Sequence, residues 1–389
     1  MQDLSPRCSE PATRPDPTTR NIVLAETLNI GYVPLTDAAP LLVASRIGFF
    51  HDRGLAVRLT QAPSWASLRD RVAFGLLDGA QMLSPMPIAA TLGLGGVQTD
   101  LVVAATLGRN GNTITIGEAL SHEIEAASEN PIVPGNLAAG LHAALTTRRN
   151  AGRPMPVFAV VFAFSSHNYL LRHWLAAAGI DPERDIRLVV VPPPEVADAL
   201  AQGRIDGFCA GEPWGSRAVD LRVGRIVLAT GDIWPNHPEK ILAFTAALAA
   251  RDPQRVAACT AAILDACRWL DEPANRAEAA RIVADALPSV PREIIALALD
   301  GKYRPLGDAD PVAAPNLLFH RAGASYPFPS HGAWWLSQMR AWKHLPPGTD
   351  PDIVERIWRP DLWNRAAELT GDPIPTHDIA DSQPIGPTP

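Results

Sequence analysis

The side chains best able by type to do covalent or metal chemistry are four cysteines, and their spacing argues against it. Cys8, Cys209, Cys259 and Cys267 form no C-x-x-C pair and have no paired histidines beside them, so neither zinc ligation nor a redox couple is expected. No Ser-His-Asp arrangement, paired carboxylates or metal cluster stands out, so neither an enzyme nor a cofactor is expected. One group suited to holding an anion is placed by local sequence. Ser165 and Ser166 are N-capping types heading the helical stretch SSHNYLLRHWLAAAG, which puts His167 in the first turn, where free N–H groups and the helix dipole favour negative charge.

Charge narrows the ligand classes. A formal net charge of −7 and a pI near 5.8 argue against a binder of phosphate backbones, which needs a net basic face. An anion site must therefore be a local pocket of one or two cations with backbone N–H groups. No stretch reaches the roughly 20 apolar residues of a membrane span. The first twenty residues, MQDLSPRCSEPATRPDPTTR, carry no apolar run of the kind that directs secretion, and a cytoplasmic location is the expectation.

At 389 residues the chain is long enough for two lobes, and 38 prolines give it stiff loops. Residues 1–27 read as a disordered tail. LNIGYV, APLLVASRIGFFHDRG and LAVRLTQA alternate strand, helix and strand, which predicts a βαβ unit and a mainly parallel sheet. A short device occurs twice, LRDRVAFGLLDGAQML (68–83) and VADALAQGRIDGFCAG (196–211), with Gly75 and Gly203 ending helices and Asp78-Gly79 and Asp206-Gly207 turning into strands. VFAVVFAF (157–164) is a buried strand. After KILAFTAALAARD (240–252) the pattern is helical to about 300, and Trp334, Trp335, Trp342, Trp358 and Trp363 mark packing helices laid across the surface. The expected division is 28–117 with 235–389 as lobe 1, 118–155 as a helical connection and 156–234 as lobe 2.

Several segments together resemble the nitrate- and bicarbonate-binding proteins of ABC transporters: GYVPLTDAAPLLVASRIGFF, Ser64-Trp65, LLDGAQMLSPMP, GNTITI, SSHNYLLRHWLAAAGIDP, PPPEVADALAQGRIDGFCAGEPW and IWPNHPEK. The resemblance implies an α/β, two-lobed clamp of the type II periplasmic-binding-protein kind, with its ligand in the cleft between lobes. It also implies an anion site made of the Trp65 indole, the Asn112 amide, the His167 imidazole, the Gly211 backbone N–H and Lys240, with Thr36 and Asp37 on the cleft wall. Nitrate is planar, monovalent and unprotonated near neutral pH, so it asks for converging donors, and one lysine offsets its single charge. The bicarbonate-binding members carry an acidic residue at the lysine's place and use a metal ion, so no calcium is expected here.

Within this family the apparent lack of an export signal makes the chain resemble a cytoplasmic branch of nitrate/nitrite sensors. That implies nitrate or nitrite as ligand and an RNA-binding antiterminator as partner, held inactive until the anion closes the clamp, with no direct contact to nucleic acid or membrane. The alternative is the solute-binding component of a nitrate ABC transporter.

Overall fold

The computed structural model describes residues 26–128, 132, 134–314 and 317–380. The tail expected over 1–27 falls outside the described residues up to position 25, and so does Cys8.

The chain lays down β1 (Leu28–Tyr32), β2 (Val57–Gln61), β3 (Gly79–Leu83) and β4 (Leu101–Arg109), with helices between the first three. It then crosses over and builds β5 (Asn112–Gly117), β6 (Val157–Val160), β7 (Arg187–Val190), β8 (Gly207–Gly211) and β9 (Gly224–Ala229), and returns as β10 (Pro238–Thr245). The result is two five-stranded sheets, ordered β2-β1-β3-β10-β4 and β7-β6-β8-β5-β9. In each, four strands run in one direction, and the strand that arrives from the other lobe runs antiparallel between two of them.

The repeated device is what makes the sheets alike. Gly75 and Gly203 take φ of 70° and 65°, the left-handed conformation that stops a helix with little strain only at glycine. Asp78 Oδ2 then accepts the backbone N–H of Asn29 at 2.8 Å, and Asp206 Oδ2 accepts that of Val157 at 2.7 Å. Each carboxylate thus satisfies the amide at the start of the neighbouring parallel strand, which fixes register.

Two boundaries differ from expectation. Asn112–Gly117 pairs with β8 and β9, so it belongs to the second sheet. The helices Glu118–Ser128 and Pro134–Asn150 pack on each other and against β9, and are part of the second lobe rather than a separate connection. Only Asn110 and Gly111 separate β4 from β5, both at positive φ (61° and 94°), and such a tight crossing leaves no linker composition to read. Lys240 lies on β10, and the helix Ala246–Arg251 follows that strand. A fully buried apolar run such as KILAF has no period that separates strand from helix.

The two crossings lie side by side. Asn110 donates its N–H to the His237 carbonyl at 3.0 Å, and Arg109 Nη1 donates to the Asn236 carbonyl at 3.2 Å. Helices of the C-terminal third pack mainly on the first lobe, where Pro253–Asp271 lies against Pro360–Thr370 and β4. Trp335, Trp358 and Trp363 are buried in that packing, and Trp335 Nε1 donates to Ser84 Oγ at 2.8 Å. No helix among the described residues is long and apolar enough to cross a membrane.

Candidate functional site

The cleft between the sheets is occupied by polar side chains that are almost wholly buried: Asp37, Trp65, Gln81, Asn112, Ser166, His167, His237, Glu239 and Lys240 each expose 1% or less. Burial of so much polarity is unfavourable unless the groups satisfy one another or a ligand. Part of the set does the first and part does not.

Lys240 is the centre of the satisfied part. Register shifts on both sides of it in the β10–β4 pairing break the normal alternation, so the consecutive residues Glu239 and Lys240 meet instead of facing opposite sides of the sheet. Lys240 Nζ lies 2.6 Å from Glu239 Oε1 and 2.7 Å from Asp37 Oδ2, and 5.5 Å from the centre of the Trp65 ring. Asp37 Oδ1 accepts Gln81 Nε2 at 2.8 Å, and Gln81 Oε1 accepts the Val33 N–H at 3.1 Å. From the second lobe, Ser166 Oγ donates to Glu239 Oε1 at 2.7 Å and His167 Nε2 stands 3.7 Å from the same oxygen. His237 Nδ1 is 3.6 Å from Glu239 Oε2, and its Nε2 is 2.8 Å from Thr230 Oγ1.

The electrostatics follow from burial and neighbours. Burial drives the Glu239 carboxyl upward, but Lys240 first, then His167 and His237, more than offset it and hold it at about 2. Burial pushes His167 down to about 3 and His237 to about 4, each partly opposed by Glu239, so both imidazoles are neutral near pH 7. Asp37 is raised by burial despite Lys240, and Lys240 is raised because its two carboxylates outweigh its own burial.

The unsatisfied part is a set of buried polar atoms with no hydrogen-bond partner: Trp65 Nε1, His167 Nε2 and both polar atoms of the Asn112 amide. Each is aimed by an ordinary local device. Ser64 caps the helix Trp65–Ala73, its hydroxyl accepting the Ser67 N–H at 3.2 Å, and so fixes Trp65 at the first helical position. Ser165 caps the helix Ser166–Ala177 through the Asn168 N–H at 3.0 Å and sets His167 in its first turn. Asn112 opens β5 directly opposite Gly211 at the end of β8. A methyl group on Gly211 would sit 3.4 Å from Asn112 Oδ1, 3.5 Å from Asp37 Oδ2 and 3.0 Å from Leu35, so the missing side chain is what lets the lobes approach here.

All the residues that the sequence resemblance selects therefore come together. Thr36 ties the lobes at the rim, its N–H and hydroxyl both donating to the Glu212 carbonyl at 3.0 and 2.8 Å. Sequence reasoning missed Gln81, Ser166, His237 and Glu239. All four stand inside the motifs already singled out, and Glu239 is the neighbour of Lys240 in HPEK. It also treated Lys240 as an uncommitted cation, whereas the lysine is shared between two carboxylates. Among the described residues no group of three or more His, Cys, Asp and Glu could hold a metal ion. Cys209, Cys259 and Cys267 are buried free thiols.

Comparison with known proteins places this arrangement. Residues 25–284 match the NMT1-like family. The nitrate import ATP-binding protein NrtC of Synechocystis is 36% identical over 359 residues, 89% of this chain, though the chain spans only half the length of that relative. The bicarbonate-binding protein CmpA of Synechococcus is 33% identical over 373 residues, covering 91% of this chain and 80% of CmpA. The crystal structure of the periplasmic nitrate-binding protein NrtA from Synechocystis superposes with a TM-score of 0.81 at 31% identity, over 88% of both chains. The two-lobed solute-binding fold expected from the sequence is thus found. The cytoplasmic location expected from the first twenty residues is overturned, since the solved relative is a periplasmic protein and a segment's composition cannot outweigh that likeness. The chain belongs to the NMT1-like family, and its relatives there are the nitrate- and bicarbonate-binding proteins of ABC transporters.

Proposed function

We propose that this protein is the solute-binding component of a nitrate ABC transporter and that it closes on a single nitrate, or nitrite, between its lobes. The observation that carries the reading is the convergence on Lys240 of unpartnered buried donors from both lobes: Trp65 Nε1 from the first, His167 Nε2 and the Asn112 amide from the second. An acceptor-only planar anion satisfies the donors Trp65 Nε1, His167 Nε2 and Asn112 Nδ2 together, though not the acceptor Asn112 Oδ1, and a lysine ammonium that uses two donors on carboxylates keeps a third for the ligand. Gly211 supplies backbone close to the same point.

Identity alone does not choose between nitrate and bicarbonate, since relatives of both kinds stand at similar distances. Lys240 chooses: a fixed ammonium repels the divalent metal that an acidic residue there would hold. Relatives named as transport proteins favour the transport role over the regulatory one, in which closure would release an RNA-binding antiterminator.

Thermal melting tests the ligand. Nitrate and nitrite should raise the melting temperature by mass action on the folded state, and bicarbonate with or without calcium should not. Equal shifts with bicarbonate would remove the assignment. A tagged chain drawn from its own cells with and without nitrate tests the role: recovery of an antiterminator that nitrate releases would replace transport with regulation.

A further inference from the structure

Lys240 is held between two carboxylates in a site closed to water, so before any ligand arrives the three groups carry one negative charge in excess if all are ionised. Adding a monovalent anion would raise that excess to two, in surroundings where unpaired charge is strongly disfavoured. The two carboxylates are not equally able to relieve it. Glu239 accepts from Ser166 Oγ and Lys240 Nζ, with His167 and His237 at 3.7 and 3.6 Å, a setting that stabilises the ionised form. Asp37 has Lys240 and Gln81 Nε2, and its Oδ2 lies toward Gly211 and the unpartnered Asn112 amide, where the ligand is placed.

On this geometry, and resting on the functional reading above, we propose that the site is an anion–proton site: nitrate binds together with one proton taken from the solvent, and the proton lodges on Asp37. A protonated Asp37 turns an acceptor that repels the anion into a donor that serves it, while Lys240 remains paired with Glu239. Burial already shifts Asp37 toward its neutral form, and a second negative charge nearby shifts it further. The charged groups that act on it are Lys240 and Glu239 on β10; His167 and His237 stand at 3.7 and 3.6 Å from Glu239, and the buried Glu212 carboxylate is taken up by the Thr113 hydroxyl and the Ser216 N–H. His167 is the competing proton acceptor. Its Nε2 stands close to Glu239, but its burial between lobes opposes a charge, whereas protonating Asp37 removes one.

Linkage fixes the sign. Affinity for nitrate should rise as pH falls and, where free Asp37 is ionised and bound Asp37 is not, should change by roughly tenfold per pH unit for one proton. Calorimetric titration of the wild-type protein with sodium nitrate, in two buffers of different ionisation enthalpy at the same pH, reads the protons taken up per anion. The expected result is close to one proton at alkaline pH and an uptake that vanishes in Asp37→Asn, whose affinity loses most of its pH dependence. Nitrate binding without proton uptake in the wild type overturns the proposal, and needs no variant to show it. Uptake that persists unchanged in Asp37→Asn also overturns it and assigns the proton to His167. Absence of nitrate binding at every pH removes the functional reading itself, and this inference with it.

Discussion

The first lobe brings Asp37, Gln81, Glu239 and Lys240 to the cleft, whereas the second brings the Asn112 amide, the Ser166 hydroxyl, a neutral His167 and the backbone at Gly211. Two sheets of the same strand plan, with the same Asp-Gly device at the same place, thus divide the chemistry unequally: fixed charge on one side, neutral hydrogen-bonding groups on the other. Such a division suits a clamp. The charged lobe can hold its ion cluster together whether or not the lobes meet, and the neutral lobe can leave the cleft without stranding a charge. On the proposed function, closure would add neutral donors to an anion beside the Lys240 ion cluster.

The largest effect should come from breaking the charged side. Lys240→Met leaves Asp37 and Glu239 facing each other, buried and unpaired, and should destabilise the fold by about 3–5 kcal/mol, since removal of one partner from a buried pair has that size. Urea unfolding measures it, and adding Asp37→Asn should recover part of the loss. Its two carboxylate neighbours make the lysine a part of the fold's stability as well as of the site. An unfolding curve for Lys240→Met that coincides with wild type would mean the ion cluster is not formed.

Removing one neutral donor should separate binding from stability. Trp65→Phe keeps a ring beside Lys240 but deletes the unpartnered indole N–H, so nitrate affinity should fall by about 1–3 kcal/mol while unliganded stability holds or rises. Parallel losses of affinity and stability would mean that the indole is a packing group whose N–H plays no part.

Acid should act on both sides of the cleft and at the C-terminal packing. His167, His237 and His331 are buried and lowered to about 3, 4 and 4, chiefly by desolvation. Groups whose pKa is depressed on folding contribute stability that is present above the unfolded value of about 6.5 and lost as pH falls toward the folded values. Glu239, held at about 2, adds a loss in the same direction below about 4.3, its unfolded value. Unfolding free energy should therefore decline steadily from about pH 6.5 to pH 4; a flat profile would mean these imidazoles are solvated.

The smallest effects test whether the lobes really are equivalent outside the site. Asp78→Ala and Asp206→Ala should each cost about 1–3 kcal/mol for a charge-assisted bond to a strand amide, and by similar amounts. A marked difference would show that one sheet depends on the device more than the other.

Much of this was legible in sequence because it is local. Gly-x-x-Asp-Gly marks helix stop and strand entry in both lobes, and a Ser ahead of Trp65 or His167 marks a capped helix start. What escaped depends on distant or irregular geometry. β5 follows β4 after two residues and yet joins the other sheet. Asp37 reaches Lys240 only when β3 and β10 pair, through Gln81 on the strand between β1 and β10. Glu239 faces the same way as Lys240 only because a bulge suspends the alternation of the strand.

Whether an anion sits where the charged and the neutral lobe meet is read most directly from a crystal structure of the protein grown with nitrate. One nitrate should lie within hydrogen-bonding distance of Lys240 Nζ, Trp65 Nε1 and His167 Nε2, beside Asn112 and Gly211. A closed cleft in which Trp65 Nε1 and His167 Nε2 find partners other than the anion, with nitrate absent or bound elsewhere, would contradict it.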